Sequence, residues 1–432
     1  MNNITYVKIY REILFMNKYN LIKNMGISFM ISGMALYSSI NVLAESSDSF
    51  KALSGVENKT ECSEMAKNDS KNSNITISFK TDLADNKIDL IIVGDGEITK
   101  KCIDDFINEN KFEREDIKSV TISGNVTNIM EESFRDCKNL KSIVIPEGVV
   151  SIGERAFDKC EALTTIELPE SLTSIGKAAF DWCKSLKSIT IPDNVTSIGD
   201  YTFMICNALT EVRFTESSKL ESIGSMAFCD CKGLTTIELP KSVTSIGDCA
   251  FSGCKSLKSI AIPEGVTSIS LGLFNRCEAL TRIDMPESIK SIEDYAFDFC
   301  KGLNSIKIPG SVKKIGKGAF ICCENLTTVE IPEGVKIMKG YIFSCCKSLK
   351  SITIPKSVKK MGRNIFVQTG IKEIRFKGNV KNIDNNLFLN LGTEEDPTII
   401  YYPSKESSWS KLENDKRYKG KKNLKWIECD ND

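Results

Sequence analysis

The sequence contains no histidine. Ser-His-Asp and Cys-His nucleophile pairs need an imidazole that takes up and returns a proton near neutral pH, so neither can be built here. Zinc hydrolase sites of the HExxH kind and His-ligated deaminase sites are excluded in the same way. Net charge is missing too: 57 Lys and Arg balance 57 Asp and Glu, which removes the usual electrostatic reason to expect nucleic acid or an anionic membrane surface as a partner. There is no GxxxxGK(S/T) phosphate loop, and Gly94-Asp95-Gly96 reads as a lone turn without the third glycine or βαβ setting of a dinucleotide site. What is present, 41% hydrophobic residues and 17 cysteines in 432 positions, is the composition of a folded protein. Length alone suggests about three domains, an estimate that internal repetition overturns.

Residues 25–44, MGISFMISGMALYSSINVLA, carry no charge and follow Lys18 and Lys23. A basic region, an apolar core and Val42-Leu43-Ala44 before Glu45 read as a secretory signal peptide over residues 1–44. Met16 is the expected start, because it shortens the basic region. The alternative is an uncleaved anchor, since about 20 apolar residues can span a bilayer; the Ser, Gly and Asn content favours cleavage. The expected location is therefore secreted or at the cell surface, without membrane insertion once the signal is removed. Residues 45–75, rich in Ser, Asn, Asp, Glu and Lys, read as a flexible linker.

A repeat governs the rest. Phenylalanines at 134, 157, 180 and 203 stand 23 apart, as do those at 228, 251, 274, 297, 320, 343 and 366. One 25-residue step holds a two-residue insertion in Phe214-Thr-Glu-Ser-Ser-Lys-Leu220, and a 22-residue step ends the series at Phe388. Within a unit, Ile189 and Ile191 alternate with polar neighbours, the period of a half-buried strand. Pro192, lacking an N–H, ends it. Val195 to Ile198 is a second extended piece, and Phe203 and Cys206 are expected to point inward on one helical turn. One 23-residue unit cannot bury that face, but stacked units can. Parallel strands about 4.8 Å apart over eleven or twelve rungs give a slab on the order of 50 Å long. The expected fold is one β-rich solenoid, not three domains.

The frame L-x-x-I-x-(I/L)-P-x-x-(V/L/I)-x-x-I-(G/E)-x-x-(A/T)-F-x-x-C resembles the BspA-type leucine-rich repeat, a family of bacterial and protist surface proteins. The resemblance covers residues 118–391. It extends to the flanks: Ile75 to Phe79, Ile88 to Gly96 and a short helix over Glu97 to Glu109 are similar to an N-terminal cap, assigned to 76–117. Thr398 to Pro403 followed by Ser408 to Leu412 is similar to the strand and helix of a C-terminal cap, assigned to 392–432. Caps are physically required, because the end rungs otherwise present an open sheet edge and an exposed apolar face.

Ten cysteines occupy one frame position, three after the Phe: Cys137, Cys160, Cys183, Cys206, Cys231, Cys254, Cys277, Cys300, Cys323 and Cys346. They are expected as an inward ladder of free thiols filling space beside the Phe stack. Disulfides or metal thiolates are the alternative in an exported protein. Equivalent, equally spaced thiols give no cysteine a unique partner, and parallel side chains on adjacent rungs fit the S–S torsion poorly. Cys62, Cys102, Cys229, Cys249, Cys322, Cys345 and Cys429 break the frame. Cys322 and Cys345, both two after a Phe on adjacent rungs, are expected outward neighbours about 5 Å apart and form the candidate disulfide. A four-thiolate metal site with Cys323 and Cys346 is disfavoured, because inward and outward side chains do not converge on one ion. No cofactor or metal site is expected.

Outward strand positions, from Val144, Glu167 and Thr190 to Thr353 and Arg375, carry mixed charge, and the parallel row from Ser142 and Thr165 to Ser351 is mostly hydroxyl. They read as a solvated polar face or a broad protein-binding surface. The positions one and two after the Phe include Trp182, Met204, Ile205, Phe299 and Ile321, candidate partner contacts unless they fold back onto neighbouring rungs. Carboxylate pairs scattered over a solenoid have no pocket to shift a pKa, so catalysis is not expected. The resemblance implies protein recognition, with adhesion to host or extracellular-matrix proteins as the leading reading. A structural envelope component, or a secreted effector binding a host receptor, is the alternative.

Overall fold

The computed structural model describes residues 66–67, 74–82, 85, 87–384, 386–388, 390–403, 409, 412–415 and 418–429. By backbone contacts the chain divides into Met1–Lys59 and Thr60–Asp432. The first unit, and with it the expected signal peptide, lies outside the described residues, as does most of the expected linker.

The N-terminal cap opens with β1 (Ala66–Lys67) antiparallel to β2 (Asn74–Asp82), which is antiparallel to β3 (Lys87–Ile98). β3 runs parallel to β4 (Ile117–Ile129), with α1 (Lys100–Asn110) as the crossover. The helix begins three residues later than the sequence suggests. The fully buried Ile98 keeps the chain extended, and Thr99 then caps the helix, its hydroxyl accepting from the Cys102 N–H at 3.2 Å. Gly94 and Gly96 form no turn between elements: both lie inside β3. Gly94 and Gly124 are register partners, and a Cβ on Gly124 would sit 2.3 Å from the Gly94 carbonyl oxygen. These two glycines let β3 and β4 approach.

β4 founds the array. Its first half pairs with Ser142–Val144 and its end pairs with Ser151–Ile152, so one long strand starts two columns of short ones. Three-residue strands such as Ser188–Thr190 and Glu211–Arg213 form the first column, and two-residue strands such as Ser197–Ile198 and Ser222–Ile223 form the second. All pairings between rungs are parallel, and Ile198 pairs with Ile223 across the two-residue insertion without loss of register. The expected parallel β-solenoid is the fold.

The third side of each rung differs from the expectation of a helical turn. The residues two before and two after the Phe adopt left-handed backbone, with φ of 53° at Glu132 and 62° at Asp136 in the first rung and 61° at Tyr201 and 60° at Ile205 in the fourth. Their N–H groups, and that of the Phe between them, point along the solenoid axis. In the second rung Arg155 donates to the Lys177 carbonyl (2.9 Å), Phe157 to Ala179 (2.8 Å) and Lys159 to Asp181 (2.7 Å). The alternate N–H groups close tight turns within the rung, as in Cys160 to the Phe157 carbonyl at 3.1 Å. An α-helix would turn all of these donors onto its own axis and leave adjacent rungs unlinked.

Inside, the rings from Phe134 to Phe366 stack at centroid separations of 5.2 to 6.3 Å and lie nearly parallel, within the range of favourable offset stacking. At the C-terminus, Thr398–Pro403 extends the first column as expected, and Leu424–Cys429 adds a further parallel strand that the sequence pattern does not announce. Of the expected cap helix, Trp409 and Leu412–Glu413 are helical; the rest lies outside the described residues. Trp409 is buried 4.6 Å from the Phe376 ring centroid and 6.0 Å from that of Tyr402, closing the core.

Phe251 lies between two stacked neighbours and is fully buried, so Phe251→Ala is expected to cost roughly 3 to 5 kcal/mol through the cavity it leaves. Glu238→Ala, on the exposed strand face, should stay within about 0.5 kcal/mol. Denaturant unfolding of both variants measures this; an unchanged midpoint for Phe251→Ala would contradict the stacked core.

Candidate interaction surface

The positions flanking each Phe are held by rigid turns, so their side chains are presented at fixed spacing along one edge of the solenoid. Trp182, Met204 and Ile205 are brought together, because the Trp182 N–H donates to the Met204 carbonyl at 2.8 Å. Phe299 and Ile321 are joined by the same bond at 2.8 Å. The five residues thus form two clusters, five rungs apart, rather than one patch. Trp182, Met204, Ile205 and Phe299 are half-buried, while Ile321 is buried and its tip lies with the Tyr295 ring over Gly318.

Aromatic residues two before the Phe belong to the same edge, and sequence reading passed over them although their frame position is regular. Lys317 Nζ stands 5.7 Å from the Tyr295 ring centroid and 5.8 Å from that of Tyr341, and Arg363 lies 5.5 Å from Tyr341. Lys184 sits 4.6 Å over Trp182, and Arg276 and Lys301 flank Phe299. Each exposed ring face is covered by a cation, at about 0.5 to 1 kcal/mol per exposed contact, which keeps these rings soluble and fixes their orientation.

Carboxylates sit immediately before two of the candidate residues. Asp298, preceding Phe299, is 2% exposed; its Oδ2 accepts from Asn275 Nδ2 at 3.1 Å and its Oδ1 makes no hydrogen bond. Burial, first of all, pushes its carboxyl up to about 8. Asp181, preceding Trp182, is pushed up to about 7 by burial and by the neighbouring Asp158. Both folded-state values lie above the ordinary carboxylate value near 3.8, so these groups leave stability intact below about pH 4 and lower it progressively as pH rises from there to about 7 for Asp181 and about 8 for Asp298.

The cysteine ladder is inward and fully buried, as expected, but it does more than fill space. From Cys160 to Cys346, each thiol donates to the carbonyl of the Phe one rung earlier, for example Cys160 Sγ to the Phe134 oxygen at 3.2 Å and Cys346 Sγ to the Phe320 oxygen at 3.1 Å. Burial raises these thiols well above their ordinary value near 9, and Cys137 to about 12. Cys322 and Cys345 are neighbouring thiols, the proximity of Cys345 and burial raise the Cys322 thiol, and the Cys345 sulfur donates to Gln368 Oε1 at 3.2 Å. Cys322 is buried, not outward as the frame suggests, and Cys345 is half-buried.

In strands such as Ser142–Val144, Glu211–Arg213 and Ser305–Lys307, exposed residues stand on either side of a buried central one. Their charges pair along single strands, Arg213 with Glu211 at 2.7 Å and Arg282 with Asp284 at 2.9 Å, exposed pairs that solvent screens. Among the described residues no helix is long and apolar enough to cross a membrane.

Short parallel strands stacked in two columns, a turn on the third side and a ladder of buried Leu, Ile and Phe define a leucine-rich-repeat solenoid. The profile of the BspA type leucine rich repeat region matches in six copies over residues 105–219, 198–320 and 272–393, and the chain belongs to this family. Among solved structures, a leucine-rich cell surface protein of Faecalibacterium prausnitzii is 26% identical, covering 76% of this chain and 93% of its own, with a TM-score of 0.46. A leucine-rich repeat protein of Bacteroides ovatus is 23% identical over 81% of this chain and 98% of its own (TM-score 0.47). The pneumococcal vaccine antigen PcpA is 18% identical over 86% and 100% (TM-score 0.40). A search of curated proteins found no match.

We propose that Cys322 and Cys345 close a disulfide when the protein meets an oxidising exterior. Alkylation of native, unreduced protein from such a medium should leave the ladder thiols unlabelled, whereas alkylation in denaturant should label them and should reach Cys322 and Cys345 only after reduction. Labelling of Cys322 and Cys345 in denaturant without reduction would end the disulfide proposal, and ladder thiols labelled in the native protein would contradict their burial.

Proposed function

We propose that the chain is an exported recognition protein, displayed at the cell surface or released, which adheres to host or extracellular-matrix proteins through its Phe-turn edge. The observation that carries this reading is the pair of half-buried apolar and aromatic clusters, around Trp182 and around Phe299, fixed on hydrogen-bonded turns. Large side chains on a rigid backbone lose little conformational freedom on binding, and rings of this kind dominate protein interfaces. Family membership supports the same class of function, because BspA-type repeat proteins are generally non-enzymatic, bind proteins and typically stand at the cell surface. The uncharged stretch 25–44 after Lys18 and Lys23 supports export.

The test is a pull-down with the wild-type chain and a Trp182→Ala/Ile205→Ser variant, against extracellular-matrix proteins and against envelope material of the producing cell. Wild type should retain a matrix protein, and the variant should bind it at least tenfold more weakly with an unchanged circular dichroism spectrum. Unchanged binding would remove this edge from consideration, and retention of envelope material alone would contradict adhesion.

A further inference from the structure

The column of residues seven before each Phe changes character along the solenoid. Five of its first seven members are threonine, from Thr127 to Thr267, whereas its last five are Lys290, Lys313, Lys336, Lys359 and Lys381. The backbone makes these lysines neighbours on consecutive rungs. The Lys313 N–H donates to the Lys290 carbonyl at 2.9 Å, Lys336 to Lys313 at 3.0 Å, Lys359 to Lys336 at 2.9 Å and Asn382, next to Lys381, to Lys359 at 3.2 Å. All five side chains are exposed. Five lysine side chains are therefore rooted in single file about 5 Å apart along the backbone, over about 20 Å.

No ion pair neutralises this row. Among the described residues none of the five lysines is in an ion pair, and the two with a hydrogen bond, Lys290 and Lys359, donate to the backbone carbonyls of Glu287 and Lys356. Three of the acidic side chains on the same rungs are engaged elsewhere, while Glu330 and Glu333 on the Lys336 rung pair with none of the five lysines. Glu293 pairs with Lys314 at 2.7 Å, Asp294 pairs with Lys339 at 2.9 Å, and the Glu287 carboxylate accepts from the Gly310 and Ser311 N–H groups. Residues 311–381 hold fifteen Lys and Arg against four Asp and Glu, so the chain's neutrality conceals a strongly basic stretch of the solenoid. Charges closer than the Debye length of about 8 Å at physiological salt repel one another, and a ligand that places a line of anions against them relieves that repulsion.

We propose that this row binds a linear acidic polysaccharide through its sulfate or carboxylate groups. The one-residue width of the row favours a chain with anions recurring along a line. No aromatic residue occurs in 287–293, 310–316, 333–339 or 356–362, so there is no platform for stacking the bases of a single-stranded nucleic acid. Ile337 is the one large apolar side chain exposed within the row, which leaves no apolar fringe for insertion into a membrane interface. The row belongs to a different column from the Phe-turn edge, so this proposal and the protein-adhesion reading stand or fall separately.

Heparin serves as the probe, titrated into the full chain at several salt concentrations. Lys313→Thr/Lys336→Thr/Lys359→Thr substitutes the residue that earlier rungs carry, and Lys141→Thr/Lys187→Thr/Lys258→Thr removes the same charge off the row. The row variant should lose at least tenfold in affinity and much of its salt dependence, the control should stay within twofold of wild type, and both should melt as wild type does. Equal loss in the two variants, or none in the row variant, would overturn the proposal. So would a single-stranded oligonucleotide or anionic phospholipid vesicles bound as tightly as heparin.

Discussion

The structure depends on one interaction, the ladder of backbone hydrogen bonds between successive Phe-centred turns. Three donors per rung, two before, at and two after the Phe, reach carbonyls on the next rung at every step from Phe134 to Phe343. Neither strand column is as continuous. The first breaks into separate two-stranded pieces and a four-stranded C-terminal one, and the pairing of the second stops between Ile246 and Ile269, yet Phe251 still donates to the Leu273 carbonyl at 3.1 Å across that break. Left-handed backbone at residues as bulky as Trp182 and Ile205 costs on the order of 1 to 2 kcal/mol each. It is sustained because reversing it would sever the bonds to both neighbours and unstack the ring between them.

The cysteine position is part of the same ladder. A Phe carbonyl accepts the Cys N–H of its own rung and the thiol of the next, as Phe157 does from Cys160 N–H at 3.1 Å and Cys183 Sγ at 3.3 Å. A thiol reaches that oxygen while still packing as a small apolar group. Seventeen cysteines therefore do not imply a disulfide framework, because most of them are donors within the core.

Much of this was legible in the sequence, and the misses have physical causes. The 23-residue period, the buried Ile at 189 and 198, the proline that ends most first-column strands and the in-frame cysteines all follow from side-chain pattern. The turn geometry does not, because φ above zero is usually announced by Gly, Asn or Asp, and here Arg155, Tyr201 and Cys345 adopt it under tertiary constraint. The candidate edge was legible as a row but not as two clusters, since spacing along the solenoid only becomes distance once the rungs are stacked. Ile321 turns inward over Gly318 because a glycine there leaves room. The lysine row escaped a reading based on net charge, which sums over faces that never meet, and the last strand, Leu424–Cys429, follows no repeat frame.

A recognition surface on such a scaffold is set by what the frame leaves free. Core positions are fixed by the ring stack, so variation falls on the residues beside each Phe and on the outer strand positions, where aromatic and charged side chains are displayed at rung spacing. The recognition reading, and the separation of an aromatic edge from a basic row, both require that the Phe turns be the rigid element. Hydrogen exchange resolved to single amides tests that most directly. The amides two before, at and two after each Phe should be the slowest to exchange, in every rung from Phe134 to Phe343. Protection confined to the two strand columns, with the Phe turns exchanging at the rate of loops, would contradict it.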